Sequence, residues 1–228
     1  MMKKLITICT LVCLYGCKST TIDTDSFNMP ESYYQEFYSR LSAQAYDFEA
    51  KNADGKVIYY RINSNNNVYV TAHGDARLHD TGTIRIPEEV TYQGTVYKVK
   101  GLVSSEDEFP DIGYLFKALP PFSGGCPDLK EVVLPATIDS ISSYSFFLCS
   151  DIKTIRLPST IRYLGDCVFG YCRSLTCFYI NSAKPPQTHE RCFDLFSPAQ
   201  CTLYVPKGCK ARYQQAEGWK DFKKIVEQ

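Results

Sequence analysis

Apolar residues recur along the chain with a period of 23. Cys126, Cys149 and Cys172 are each 23 apart, as are Leu129, Ile152 and Leu175, then Val132, Ile155 and Phe178, then Leu134, Leu157 and Ile180. Pro135 and Pro158 share the phase, and so do Ile138 with Ile161, Ile141 with Leu164, and Phe146 with Phe169. The unit reads C-x-x-L-x-x-h-x-L-P-x-x-I-x-x-I-x-x-x-x-F-x-x, with h an apolar residue. The end of its L-x-x-h-x-L piece alternates, which predicts a short strand with one face turned inward, and the proline stops that strand. The I-x-x-I piece then returns the chain along a second apolar edge. One unit buries little surface alone, so neighbours must stack, and the predicted fold class is a mainly β solenoid.

The flanks of the repeat read differently. Residues 45–50, 56–62, 68–72, 83–86 and 95–100 are strand candidates separated by Asp54-Gly55 and other Asn- or Gly-bearing turns, and they predict an N-terminal β cap over 45–101. The repeats follow over 102–206. Leu102 to Cys126 spans 24 positions where Ile141 to Cys149 spans 8, so a loop of about 16 residues is inserted within 103–121. It mixes Glu106, Asp107, Glu108 and Asp111 with Phe109, Tyr114 and Phe116. It is either a projecting recognition loop or a spacer packed on the N-terminal cap. Lys210 to Glu217 predicts one or two helical turns stopped at Gly218, with Trp219, Phe222 and Ile225 covering the last unit, so that 207–228 forms a C-terminal cap. Before the β cap, residues 17–44 read as a polar tether. Within it, Tyr33, Tyr34, Phe37, Tyr38 and Leu41 behind Pro30 predict a short amphipathic helix.

Lys3 and Lys4 precede an apolar run from Leu5 to Tyr15 that is too short to span a bilayer and has the form of a signal peptide over 1–16. Leu14-Tyr15-Gly16-Cys17 resembles the lipobox of bacterial lipoproteins. That resemblance implies cleavage before Cys17, acylation of its thiol and a protein anchored to a membrane rather than spanning it. Lys18 stands where an Asp would resemble the inner-membrane retention signal, so the resemblance favours the outer membrane.

LKEVVLPATIDSISSYSFFLC and IKTIRLPSTIRYLGDCVFGYC resemble the BspA-like leucine-rich repeats of bacterial surface proteins. CTLYVPKGCKARYQQAEGWKDFKKIVEQ is similar to the segment that closes many such lipoproteins, and VIYYRINSNNNVYVTAHG with TIRIPEEVTYQGTVYKV to their β-rich opening. The resemblance covers about residue 45 to the end and implies adhesion or macromolecule recognition at the cell surface.

Charge and chemistry narrow this further. Lys+Arg and Asp+Glu are equal at 25 each, a balance that lacks the footprint of a nucleic-acid binder. Cleavage before Cys17 would leave a formal net charge of only −2. Beyond the lipidation site lie Cys126, Cys149, Cys167, Cys172, Cys177, Cys192, Cys201 and Cys209. Three share one repeat phase and predict a buried thiol ladder, while their even number leaves a disulfide set open. The x4 spacing of Cys167, Cys172 and Cys177 does not fit zinc, and no metal or cofactor is expected. His73, His79 and His189 have no nucleophile at a matched spacing, and the sequence carries no phosphate loop, GxSxG or HExxH. The chain reads as a non-enzyme.

What remains is surface. Residues between the inward positions of each strand form an open face of Lys130, Glu131 and Val133, then Lys153, Thr154 and Arg156, then Thr176 and Tyr179, then Tyr204. Lys130, Glu131, Lys153, Arg156, Tyr179 and Tyr204 are the candidate ligand-binding set for a protein or a glycan, with Tyr rings able to stack on sugars. The competing reading buries Tyr179 and Tyr204 under the C-terminal cap. Two functions fit: a surface-exposed, lipid-anchored binding module engaged in adhesion, or a periplasm-facing accessory lipoprotein that scaffolds an envelope complex.

Overall fold

The computed structural model describes residues 46–63, 66–71, 82–103, 129–147 and 149–228. The signal peptide, Cys17, the helix expected over 30–43, His73, His79, Cys126 and all of the inserted loop except Val103 lie outside the described residues.

The chain opens with β1 (Phe48–Lys51) and β2 (Val57–Asn63), an antiparallel hairpin. Its turn is built by Asn52, whose Oδ1 accepts from the N–H of Asp54 at 3.0 Å and of Lys56 at 2.9 Å, while Gly55 takes the left-handed φ of 77° that the turn needs. β3 (Asn67–Thr71) adds antiparallel to β2. After β4 (Gly82–Arg85), β5 (Glu89–Tyr92) and β6 (Thr95–Leu102) make a second hairpin. Gln93 and Gly94, both at positive φ, give it the two-residue turn that matches strand twist.

The 23-residue units follow as pairs of strands: β7 (Leu129–Val133) with β8 (Ser140–Ile141), β9 (Thr154–Leu157) with β10 (Tyr163–Leu164), and β11 (Cys177–Ile180) with β12 (Gln187–Thr188). β13 (Thr202–Val205), helix α1 (Lys210–Gln215), a 3₁₀ turn (Trp219–Asp221) and β14 (Lys224–Glu227) complete the chain. The longer strand of each unit is the L-x-x-h-x-L piece, and β9 stops directly before Pro158. These strands join in a parallel ladder β9-β11-β13-β14 with Ile155, Phe178, Leu203 and Ile225 in register. The I-x-x-I piece is not merely an apolar edge. Its second position forms a ladder of its own, in which β6, β8, β10 and β12 pair in parallel with Leu102, Ile141, Leu164 and Thr188 aligned.

Strand register also carries the repeat N-terminal of Leu102. β4 pairs in parallel with β7, Ile84 opposite Val132, while β6 pairs with β8. Residues 82–102 therefore supply one more rung, with β5 set between its two ladder strands β4 and β6. Each turn edge adds cross-rung hydrogen bonds, among them Tyr144 N–H to Asp166 O at 2.8 Å, Cys167 N–H to Arg191 O at 3.0 Å and Tyr171 N–H to Leu195 O at 2.8 Å. Tyr144, Cys167, Tyr171 and Leu195 take positive φ there, a conformation that non-glycine residues hold only when their surroundings fix it.

Between the ladders runs one cluster of buried residues from Phe48 to Ile225. Phe146 and Phe169, one per unit, stack with centroids 5.7 Å apart, and Phe193 continues the line 6.3 Å beyond Phe169. Full burial of each such ring contributes roughly 1.5–3 kcal/mol. At the C-terminal end Trp219, Tyr213 and Phe222 are buried. Trp219 Nε1–H donates to Pro186 O at 2.8 Å and Tyr213 Oη–H to Ser182 O at 2.8 Å, so both polar tips are satisfied.

Candidate binding face

Strand alternation sends Ile155, Leu157, Phe178, Ile180, Leu203 and Val205 into the core, and it turns the residues between them outward. Two straight rows result. Register aligns Arg156, Tyr179, Tyr204 and Val226 in one, and Thr154, Cys177, Thr202 and Lys224 in the other. The β4–β7 pair repeats the arrangement, Arg85 opposite Val133 and Thr83 opposite Glu131. Lys130 on β7 and Lys153 just before β9 are exposed, and Glu131 is half-buried.

The first row is fixed by ring packing. The guanidinium carbon of Arg156 lies 4.1 Å from the Tyr179 ring centroid. Tyr179 and Tyr204 stack with centroids 4.4 Å apart and planes 5° from parallel, close to the spacing of adjacent strands. Both faces of the Tyr179 ring are thereby covered, one by a cation and one by Tyr204. The Tyr179 ring therefore has no open face on which a sugar could stack. What the row presents is ring edges, phenolic hydroxyls and guanidinium N–H groups. Neither tyrosine belongs to the core, and both remain half-buried on the outward row. The Tyr204 phenol is pushed above its ordinary range by desolvation first, then by its neighbours Tyr179 and Cys177.

The face is cationic. Arg85 pairs with Asp54 at 3.1 Å, but among the described residues no carboxylate lies within ion-pair reach of Lys130, Lys153 or Arg156. Arg85 was not in the sequence-derived set. Its signal is present, because Thr83-Ile84-Arg85-Ile86-Pro87 repeats Thr154-Ile155-Arg156-Leu157-Pro158 almost letter for letter.

Apart from Cys177, the described cysteines sit elsewhere, as does His189. Cys149 and Cys172 are buried as their phase predicts, and none of the seven described cysteines beyond Cys126 forms a disulfide, with only Cys177 half-exposed. The Cys172 thiol lies 3.0 Å from Phe146 O and that of Cys201 2.9 Å from Leu175 O, so each donates across rungs. Burial raises the Cys172 thiol to about 12 and that of Cys201 to about 11, and it raises Cys167 and Cys192 further, with Asp166 contributing to both. Protonated and enclosed, these groups pack as small hydrophobes. His189 Nδ1 stands 3.9 Å from Asp166 Oδ1 at the turn edge, where the Asp166 carboxylate also accepts from Arg191 and from Tyr144 Oη at 3.2 Å. Among the described residues no group of three or more His, Cys, Asp or Glu is placed to hold a metal, and no helix is long and apolar enough to cross a membrane.

Comparison with known proteins places this architecture. Residues 121–210 match the BspA type leucine rich repeat region, in six copies. A leucine-rich repeat protein from Bacteroides ovatus ATCC 8483 is 20% identical with a TM-score of 0.46, over 80% of this chain and 41% of that one, so this chain spans about two fifths of that protein's length. The leucine-rich repeat protein of T. pallidum is 13% identical with a TM-score of 0.43, over 82% and 81% of the two chains. A leucine rich cell surface protein from Faecalibacterium prausnitzii A2-165 is 16% identical with a TM-score of 0.31, over 75% and 54%. No curated protein matches the sequence. Residues 121–210 of this chain thus form a BspA type leucine rich repeat region, with its units laid out along two parallel ladders.

Proposed function

We propose that the chain is a non-catalytic binding module of the bacterial cell envelope, anchored by lipid on Cys17 and displayed at the outer membrane surface, where it acts in adhesion or macromolecule recognition. In this reading the rungs form a short solenoid closed by the N-terminal β segment and by residues 207–228. The strand face carries the ligand through Lys130, Glu131, Lys153, Arg156, Tyr179 and Tyr204. The observation that supports it is the Arg156–Tyr179–Tyr204 row, which is ordered by stacking yet stays outside the core. Arg and Tyr are the residue types that concentrate binding energy at interfaces.

Protease treatment of intact cells tests the location. Digestion of the chain while a periplasmic control survives is the expected result; resistance until the outer membrane is opened would move the protein inside and make it a scaffold of envelope partners. Binding of the labelled full chain to epithelial and bacterial surfaces tests the face. Tyr179→Ala with Arg156→Ala should weaken it by more than about 1 kcal/mol with Tm near wild type. Loss of folding in that pair would assign both side chains to the core instead.

A further inference from the structure

We infer that the strand face is built for a linear acidic polysaccharide, a glycan chain bearing carboxylate or sulfate groups; this identifies the ligand class of the binding face proposed above and rests on that reading. Charge is the first support. The chain as a whole is neutral, yet Arg156 and Lys224 stand exposed on the outward side of the β9-β11-β13-β14 ladder, with Lys153 exposed just before β9 and Lys130 exposed on the neighbouring β7. The carboxylates on the same strands are few. Glu131 is half-buried, and Glu227 accepts from the N–H of Lys210 at 2.9 Å, a bond that also holds its carboxyl below the ordinary range. An oxyanion approaching Arg156 or Lys153 meets donors whose charge is not already neutralised by a described carboxylate.

The apolar content of the face is the second support. A folded protein partner draws affinity from large anchors seated in desolvated pockets. Here the outward aliphatic residues are Val133 and Val226, and the Tyr179 ring has both faces covered. The same covering disfavours single-stranded nucleic acid, whose bases need open aromatic faces to stack on. On the outward rows stand the half-buried Thr83, Thr154, Thr202, Tyr179 and Tyr204, hydroxyl-bearing residues beside guanidinium and ammonium donors, which is the complement of a surface rich in hydroxyl and acid oxygens.

Regularity is the third. Parallel strands repeat about every 4.8 Å. Lys130 and Lys153 recur at the same position of successive units, and Arg85 and Arg156 share a position with Val133 between them. Such rows suit a polymer lying along the strands' stacking direction, its acid groups meeting Lys130, Lys153 and Arg156 and its hydroxyls meeting Tyr179 and Tyr204 on the rungs beyond. A small anion would engage one rung only.

The test immobilises heparin as the sulfated probe, polygalacturonate as the carboxylated one, neutral dextran and poly(dT), and measures binding of the full chain in nonionic detergent at fixed ionic strength. Saturable binding to one or both acidic glycans is expected, falling with salt, with none to dextran and at least tenfold weaker binding to poly(dT). Lys153→Ala with Arg156→Ala should reduce glycan binding at least tenfold, whereas Lys184→Ala with Lys207→Ala, exposed cations off the face, should change it less than twofold. Arg156→Lys keeps the charge and separates loss of binding from loss of folding, which thermal melting reports. No binding to either acidic glycan, equal binding to poly(dT), or equal loss in both double variants would overturn the assignment. If Arg156→Ala still abolishes attachment to cells while no acidic glycan binds, the binding face stands and the polysaccharide falls. If Arg156→Ala leaves attachment unchanged, both fall.

Discussion

Gly165 marks where adjacent rungs touch backbone to backbone. A Cβ at this position would collide with Ser143 N and stand 2.8 Å from Ser142 C and Ser143 Cα, none of them atoms that can swing aside. The Gly165 N–H also donates to Ile141 O at 2.9 Å, so retreat breaks a cross-rung bond. Gly165→Ala should therefore lower stability by about 1–3 kcal/mol, read as a lower urea midpoint at unchanged slope. An unchanged midpoint would show that the turn can widen. Cys172 acts through protonation instead. Its folded value of about 12 lies above the ordinary 9.0, so the unfolded chain loses this proton first. Its contribution is complete below pH 9 and declines as pH rises towards 12. Cys172→Ser keeps a donor for Phe146 O and removes the titration, so its stability should fall less steeply than wild type across that window. Parallel curves would remove Cys172 from the alkaline transition.

Among the elements, the turns are clasped by charge where the strands are held by apolar register. Asp166, nearly buried, accepts from Arg191 of the next rung and from Tyr144 of the previous one, and its N–H donates to Ser143 Oγ at 3.0 Å. Its Oδ1 is buried without a hydrogen-bond partner, with His189 Nδ1 3.9 Å away, and Arg191 is the guanidinium paired with the carboxylate. Arg191→Ala should cost about 1–3 kcal/mol by leaving that charge uncompensated, and Asp166→Asn should remove much of the penalty in the double variant. Additive losses would mean that the pair is not coupled. This clasp was not legible in the sequence, because residues 144, 166 and 191 fall outside the apolar phase and are unevenly spaced. The strands were legible for the opposite reason: inward residues at 23-residue intervals must align for the core to close. Ile84 escaped because the loop inserted after Leu102 and the extra stretch holding β5 together put it 48 positions before Val132 instead of 23. Likewise, spacing placed Arg156, Tyr179 and Tyr204 side by side, but their ring planes are set by packing against one another, which spacing does not specify.

Across the whole molecule, each rung touches mainly its neighbours, so stability is close to a sum of rung terms and interface terms, and the ends decide where opening starts. The C-terminal end is closed by aromatic packing. Trp219 lies 5.2 Å from Phe193, 5.7 Å from Tyr213 and 5.9 Å from Phe222 between ring centroids, joining the last turn, α1 and the approach to β14. β14 in turn gives β13 a partner on its outer edge, which covers backbone groups that would otherwise template association. Trp219→Ala should cost about 3–5 kcal/mol, through the void left and the loss of its donor to Pro186 O. The loss should be unevenly distributed. Amide exchange should quicken first in β14 and β13, then in β11, while β2, β3 and β6 keep their protection, because the N-terminal rungs share no contact with the indole. Uniform acceleration from β1 to β14 would instead show that the two ladders open as one cooperative unit, with the rungs too strongly coupled for an end to fray alone.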